Sequence, residues 1–357
     1  MSGAKLTIDL AALAHNLSVL RTEAGGAEVA PVVKADGYGL GAGAISRRLF
    51  DEGARSFFVA RLSEGEALRQ ELGIRAADIF ILDGLTAGSE QRLAAARLAP
   101  ALTTLDQIAD WSRYAGDHSL PCAIHFDTGM NRLGVDVADA AAAAELVGQS
   151  SGLDLKLVMS HLSYATSSRN PRNAVQLERF RQVLTHFPDT RASLAASAGV
   201  FLGPDYRFDV VRPGISLFGG GPQERAHPDL KAAAILEAPI LQIRHVKAGE
   251  SVGYGSMFTA KTDLTIAIVE AGYADGLLRT GHGKGRAAVH GQLCSLVIVS
   301  MDLIAVDISA VAQAQLGEMV ELLGPTVLLD DVATAAGTVA HECLVRLSPR
   351  AQRSYRG

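Results

Sequence analysis

Over the first two thirds of the chain, apolar positions alternate between two patterns. Short apolar runs that read as strands cover 31–35, 57–60, 79–82, 101–104, 123–126, 156–160, 193–195 and 208–212. Between them lie stretches rich in Ala, Leu, Glu and Arg with helical spacing, such as 63–72, 90–96, 137–147 and 173–187. The alanine run 138–144 reads as a helix of small residues rather than a linker. Eight strand–helix repeats in this length predict an α/β fold, a (β/α)8 TIM-type barrel. An open doubly wound sheet is the alternative, but no G-x-G-x-x-G run follows the first strand.

The pattern changes near residue 230. From there apolar residues alternate or run short, as at 240–244, 264–269, 287–290, 296–299 and 320–323, with turn residues between them. We therefore expect a barrel over 1–229 and a mainly-β C-terminal domain over 230–357, closing with a short helix at 329–336. A length of 357 residues suits about two domains.

Composition narrows the function classes. A net charge of -5 gives no footprint for nucleic acid. Apolar stretches are too short to span a membrane, and the N-terminal residues lead into Leu6-Thr-Ile-Asp9 without a signal core. Cys122, Cys294 and Cys343 lack metal-ligand spacing and suggest a reducing compartment, so a cytoplasmic protein with no metal is expected.

The chemistry centres on Lys34, where Val32 and Val33 lead to a lysine followed by Gly37, Gly39 and Gly41. At the end of a buried strand, desolvation would lower its pKa and free the amine for Schiff-base chemistry with a carbonyl such as that of pyridoxal phosphate (PLP). A strand-capping lysine that snorkels to water is the other reading. Barrel enzymes place their chemistry at the C-terminal strand ends. There the sequence offers Lys34 and Tyr38, then Asp127 and Arg132, then His161, Ser197 and Arg212. Backbone N–H groups at Gly214 and Ile215, with the hydroxyls of Ser197 and Tyr38, suit a phosphate.

These blocks carry a resemblance. Val32-Val-Lys-Ala-Asp-Gly-Tyr-Gly39, Asp127-Thr-Gly-Met-Asn-Arg-Leu-Gly134, Arg212-Pro-Gly-Ile215, Gly253-Tyr-Gly255, Gly272-Tyr-Ala-Asp-Gly276 and Ser300-Met-Asp302 occur in one order along nearly the whole chain. Together they resemble the PLP-dependent alanine racemases. The resemblance implies PLP on Lys34, which when freed serves as one base, and Tyr254 as a second base on the opposite face of the substrate α-carbon. Inversion of a stereocentre needs two such bases. Phenols ionise near pH 10, so a tyrosine base needs help, for which His161 and Arg212 are the family's candidates. Arg212 would face the pyridine nitrogen and, having no acceptor, could only donate to it. Arg132 would contact the PLP phenolic oxygen and the substrate carboxylate region, and His341 the phosphate. Met301 and Asp302 would shape the carboxylate pocket, and Tyr273 and Arg279 the entrance corridor. Tyr254, Met301 and Asp302 would come from the partner of a homodimer.

The chain departs from the family at several positions. Leu40 replaces a usual histidine, His125 a lysine that some members carbamylate, Ala196 an asparagine, Ile298 an arginine and His341 a tyrosine at the substrate entrance. Racemisation of alanine is expected. Serine or a broader set of small amino acids is an alternative, as is another PLP barrel enzyme such as a D-amino-acid decarboxylase or aldolase. A PLP carrier without turnover is a further alternative, disfavoured by the two bases. Both D-alanine supply for the cell wall and D-alanine catabolism stay open.

Overall fold

The computed structural model describes residues 3–73, 76–311, 313–347 and 350–357. The chain divides into two compact units, Leu17–Leu217 and Met1–Asn16 with Phe218–Gly357.

The first unit is built from parallel strands with helices between them. Its strands are Glu28–Val29, Ser56–Val59, Asp78–Ile81, Ala99–Leu102, Leu120–Asp127, Leu153–Met159, Ala192–Ser193 and Val210–Val211. Those from Ser56 to Ser193 pair in parallel in chain order, and Val210–Val211 pairs in parallel with Glu28–Val29. Two parallel bridges, Val32 to Phe58 and Ala196 to Arg212, link these sets. One buried cluster takes Val32, Phe58, Phe80, Ala99, Ala101, Ala123, Leu157, Met159 and Val210 from strand after strand. Alanines on the middle strands leave room for the large rings, and Phe58 stacks on Phe80 with centroids 4.6 Å apart.

The intervening helices follow the apolar spacing. Leu105–Ala115 buries Ile108, Trp111 and Ala115, one face at helical period, and Thr104 caps it by accepting from the Gln107 N–H at 3.1 Å. The strand expected over 31–35 is shorter and earlier. Regular pairing stops at Val29, a lone bridge follows at Val32, and Lys34 already opens a helical turn.

The second unit is an antiparallel ring. The long strand Ala234–Val246 pairs with Leu264–Val269 through its second half and Met319–Leu323 through its first. Leu264–Val269 pairs with Ile304–Asp307, which pairs with Gln292–Val299. Arg286–Val289 then joins Gln292–Val299 to Met319–Leu323 and closes the ring. Val246, Val252, Ala260, Ile266, Val297 and Ala305 fill one of its buried clusters.

Two features of this unit were not foreseen. Lys5–Asp9 lies antiparallel against Ala234–Val246 and parallel against Gln352–Arg356, and Asp9 pairs with Arg356 at 2.9 Å. The chain also does not close on the helix Leu329–Ala336, because helix Ala340–Val345 and strand Gln352–Arg356 follow it. A strand reading QRSYR has exposed side chains throughout and shows no apolar alternation, so its sequence gives no signal. Among the described residues no helix is long and apolar enough to cross a membrane, and no group of His, Cys, Asp and Glu could hold a metal ion.

Phe58 is fully buried between strand partners in the first unit. Phe58→Ala should lower unfolding free energy by about 3–5 kcal/mol, read from urea denaturation. A loss below about 1 kcal/mol would remove Phe58 from the core that supports the strand ends.

Candidate active site

Lys34 stands where the backbone reverses hand. Val33 donates its N–H to Phe58 O at 2.8 Å, and the chain then leaves the sheet. Ala35, Asp36, Gly37 and Tyr38 follow with φ of 52°, 54°, 63° and 57°. Four successive residues in this region make a left-handed helical turn, unfavourable by roughly 1–2 kcal/mol for each non-glycine residue. Several bonds hold it. Gly39 N–H donates to Ala35 O at 2.7 Å, and Ala42 N–H donates to Asp36 Oδ1 at 2.8 Å. Glycine is needed at 37, where a Cβ would lie 2.9 Å from Ile45 Cδ1 and 3.1 Å from Ala42 N.

The turn buries Tyr38 and sets its hydroxyl against Gly214, where a Cβ would fall 2.0 Å from Tyr38 Oη. Burial pushes the phenol upward, so Tyr38 stays protonated and able to donate. Beside it, Ser197 Oγ accepts from Gly214 N–H at 2.9 Å and Ser216 N–H at 3.3 Å. The Ser216 hydroxyl is buried with no partner among the described residues. Ile215, between them, is buried. The result is a compact cluster of N–H and O–H groups with no side chain at 214.

Arg212 is buried beneath. Its Nη2 donates to Ser160 O at 2.6 Å and its Nη1 to Ser193 Oγ at 2.5 Å. Burial pulls the guanidinium down to about 9, still above neutral pH, so the charge persists. Burial and that charge both act on its neighbours. Burial pushes His125 down to about 4, aided by Arg212 and Arg132, and burial with the same two arginines pushes His161 well below its ordinary range. Both imidazoles are neutral at physiological pH. Burial also lowers Lys34, aided by Arg132 and opposed by Glu64 and Asp83. An amine pushed toward its neutral form near the Arg132 guanidinium suits anionic ligands and proton transfer.

Arg132 is carried by a loop that Asp127 organises. Burial alone would raise Asp127, but backbone N–H groups outweigh it and hold the carboxyl below its ordinary value. Gly129 and Met130 donate to Oδ1 at 2.8 and 2.7 Å, and Arg132 N–H to Oδ2 at 3.0 Å. Gly134 ends the loop with φ of 136°, where a Cβ would meet Asp127 N at 2.4 Å.

The second unit carries the remaining candidates. Tyr254 projects from a short 3-10 turn between Gly253 and Gly255, both at positive φ, and is 84 % exposed. Ile298 supports that turn, since a Cβ on Gly253 would lie 3.0 Å from Ile298 Cδ1. Packing therefore accounts for an aliphatic residue at 298. Tyr273, Met301 and Asp302 sit on two turns joined by backbone bonds, Tyr273 N–H to Ser300 O and Ala274 N–H to Met301 O, each 3.0 Å. Arg350 braces both, donating to Asp275 Oδ1 at 2.8 Å and Asp302 Oδ1 at 2.6 Å. Arg279 lies on an exposed 3-10 turn with Nη2 4.0 Å from Met257 Sδ. His341 is on an exposed position of helix Ala340–Val345.

Comparison with known proteins decides the family. Residues 8–222 match the family described as alanine racemase, N-terminal domain, and residues 233–355 match alanine racemase, C-terminal domain. The chain belongs to the alanine racemase family. Two proteins of Agrobacterium fabrum, a catabolic and a biosynthetic alanine racemase, are 42% and 41% identical over 98% of this chain, and 91% and 93% of their own lengths. An alanine racemase from Bartonella henselae, solved with covalently bound pyridoxal phosphate, superposes with a TM-score of 0.92 at 35% identity, covering all of both chains. The biosynthetic alanine racemase of Pseudomonas aeruginosa superposes at 0.93 with 34% identity over the same full coverage. Relatives named catabolic and biosynthetic thus match almost equally.

Within this family member, the structure gathers Lys34, Tyr38, His161, Ser197, Arg212, Gly214 and Ile215, with the loop of Arg132, in the first unit. Sequence reading missed Ser160, Ser193 and Ser216, which bond to or extend these residues through packing that no local pattern encodes. It also missed Arg350 and Glu64. Glu64 carries no capping signature in the sequence, because the residue three before it is Arg61 and not Ser, Thr, Asp or Asn.

Two outcomes test this geometry. Gly214→Ala should destabilise the protein by about 1–3 kcal/mol through collision with Tyr38, and Tyr38→Phe should recover part of that loss in a double-mutant cycle. His125 has its folded pKa below its unfolded value, so the unfolded state binds more protons between about pH 6.5 and 4. Stability should therefore fall as pH drops through that window, by about 2 kcal/mol from pH 7.5 to 5, and His125→Asn should remove that part of the slope in urea titrations.

Proposed function

We propose that this chain is a PLP-dependent racemase that interconverts L- and D-alanine, with Lys34 and Tyr254 as opposed bases. The observation that carries this reading is the convergence at Lys34. A half-buried amine pushed toward its neutral form feels Arg132, lends its charge to His161, and shares its end of the strands with the donor set at Tyr38, Ser197 and Gly214. Bridges at Val32 and Ala196 support an eight-stranded (β/α)8 barrel for this unit.

Gly214 N–H, the N–H of Ile215, and the hydroxyls of Ser197 and Tyr38 would hold the cofactor phosphate. When bound, PLP withdraws electrons from the substrate α-carbon and acidifies its C–H bond. Lys34 would anchor it and then remove or return the α-proton on one face. Tyr254 would do so on the other face, helped by His161 and Arg212. In a homodimer Tyr254, Met301 and Asp302 would serve the partner's site. The exposed apolar set Tyr254, Met257, Tyr273, Met301 and Leu303 on the second unit supports such an interface. Arg132 with Met301 and Asp302 would receive the substrate carboxylate, and Tyr273 and Arg279 would line the approach. Arg212 can only donate, and two of its nitrogens are already committed to Ser160 and Ser193. It would therefore keep the cofactor ring nitrogen unprotonated and restrain transamination. Three free cysteines support a cytoplasmic setting.

Ala196 and His341 leave the side-chain pocket open to serine or other small amino acids, so the deciding assay measures optical inversion of both enantiomers across the natural set. Alanine should be inverted fastest. Lys34→Ala should lose roughly 10³-fold or more of that activity and regain part with added methylamine. Full activity without amine would overturn the mechanism. Arg212→Glu should raise the ratio of transamination to racemisation, and an unchanged ratio would remove Arg212 from this role.

A further inference from the structure

Glu64 is the third residue of helix Leu62–Leu72. Helix capping asks such a residue to reach back to one N–H. Its carboxylate does more. Oε2 accepts from Ala60 N–H at 2.8 Å and Arg61 N–H at 3.2 Å, and Oε1 accepts from Ala35 N–H at 2.8 Å. Both oxygens are thus committed to three backbone donors on two different strand–helix connections. Ala60 follows strand Ser56–Val59, and Ala35 follows Lys34 and opens the left-handed turn.

That turn needs outside support. Ala35, Asp36 and Tyr38 are non-glycine residues at positive φ, and the bonds at Gly39 and Ala42 hold its far end. At its near end the Ala35 N–H meets Glu64. The bond is charge-assisted, the stronger kind. It acts beside the bridge between Val32 and Phe58, so the Lys34 backbone is fixed against the neighbouring strand from both sides. The charged groups that act on the Lys34 amine are Arg132, Glu64 and Asp83, and Asp83 lies 3.8 Å from Arg61.

We propose that Glu64 is a positioning residue for Lys34, clamping the left-handed turn to the end of the adjacent strand and so setting the approach of the lysine amine to its target. This rests on the reading of Lys34 as the cofactor-bearing base. It assigns catalytic consequence to a residue that touches neither cofactor nor substrate.

The test uses the PLP-loaded enzyme and Glu64→Gln, which keeps size but turns one acceptor into a donor facing N–H groups. Amide exchange at Ala35 should quicken roughly tenfold or more. kcat should fall about tenfold with KM within about twofold, as for a group that acts on the reacting geometry and not on binding. The pH midpoint of the bound cofactor's absorbance should move down by about half a unit or more, because a negative charge that favours the protonated form is gone. Glu66→Gln, two residues on and paired with Arg92 at the surface, should move none of these. Should Glu64→Gln fail to fold, Glu64→Asp carries the test. It keeps the charge but shortens the reach, so Ala35 exchange should quicken while the absorbance midpoint holds. Unchanged Ala35 exchange in either variant overturns the proposal, as does a Glu64→Gln profile matching Glu66→Gln. Borohydride reduction of the wild type followed by peptide mapping separates the two claims. A label elsewhere than Lys34 overturns the reading beneath, whereas a label on Lys34 with unmoved Glu64 variants overturns the clamp alone.

Discussion

A buried guanidinium is the constraint on which the site depends. Leaving the Arg212 charge inside the first unit costs several kcal/mol unless its donors are met. Ser160 O and Ser193 Oγ meet two of them, and Ser193 passes its own hydrogen on to Val210 O. Ser160 also bonds through its hydroxyl to Thr128, and Gln176 donates to His161 O while accepting from Ser163. The charge is thus tied into several strand ends at once. Burial, aided by its field and that of Arg132, keeps His125 and His161 neutral. Asp127 opposes that field at His125, and the backbone N–H groups on both of its oxygens keep its carboxylate charged.

The left-handed turn is the complement of that constraint. A right-handed continuation from Lys34 would follow local preference, and the observed hand opposes it at Ala35, Asp36 and Tyr38. The strain is confined to the segment between lysine and phosphate-suited tyrosine, which is where a functional requirement can override propensity. Tyr38 against the bare Cα of Gly214 shows what the reversal achieves, since it carries the ring across to a loop far along the sequence.

Much of this was legible beforehand. Parallel strands from Ser56 onward overlap the apolar runs with ends within three residues, because strands buried on both faces are largely apolar. The places of Lys34, Ser197, Arg212 and Gly214 near strand ends were legible because each lies within two residues of the end of such a run. The hand of the turn was not, since Ala-Asp-Gly-Tyr is compatible with several conformations. Nor was the brace from Arg350, which depends on a contact 75 residues distant in sequence. Ile298 shows a third kind of limit. As a substitution for an arginine it looked like a change of pocket chemistry, and the structure finds it supporting the glycine beside Tyr254.

The strand Lys5–Asp9 carries a consequence for how the chain is made. Its two neighbours in the sheet, Ala234–Val246 and Gln352–Arg356, leave the ribosome long after it. At about 5–20 residues per second the first of them arrives roughly 10–50 s later. The intervening parallel unit has that interval in which to collapse on its own local contacts. Over the same period an apolar edge with Leu6 and Ile8 waits unpaired. Synthesis thus leaves the start of the chain as a pending seam, closed only when its last partner strand emerges.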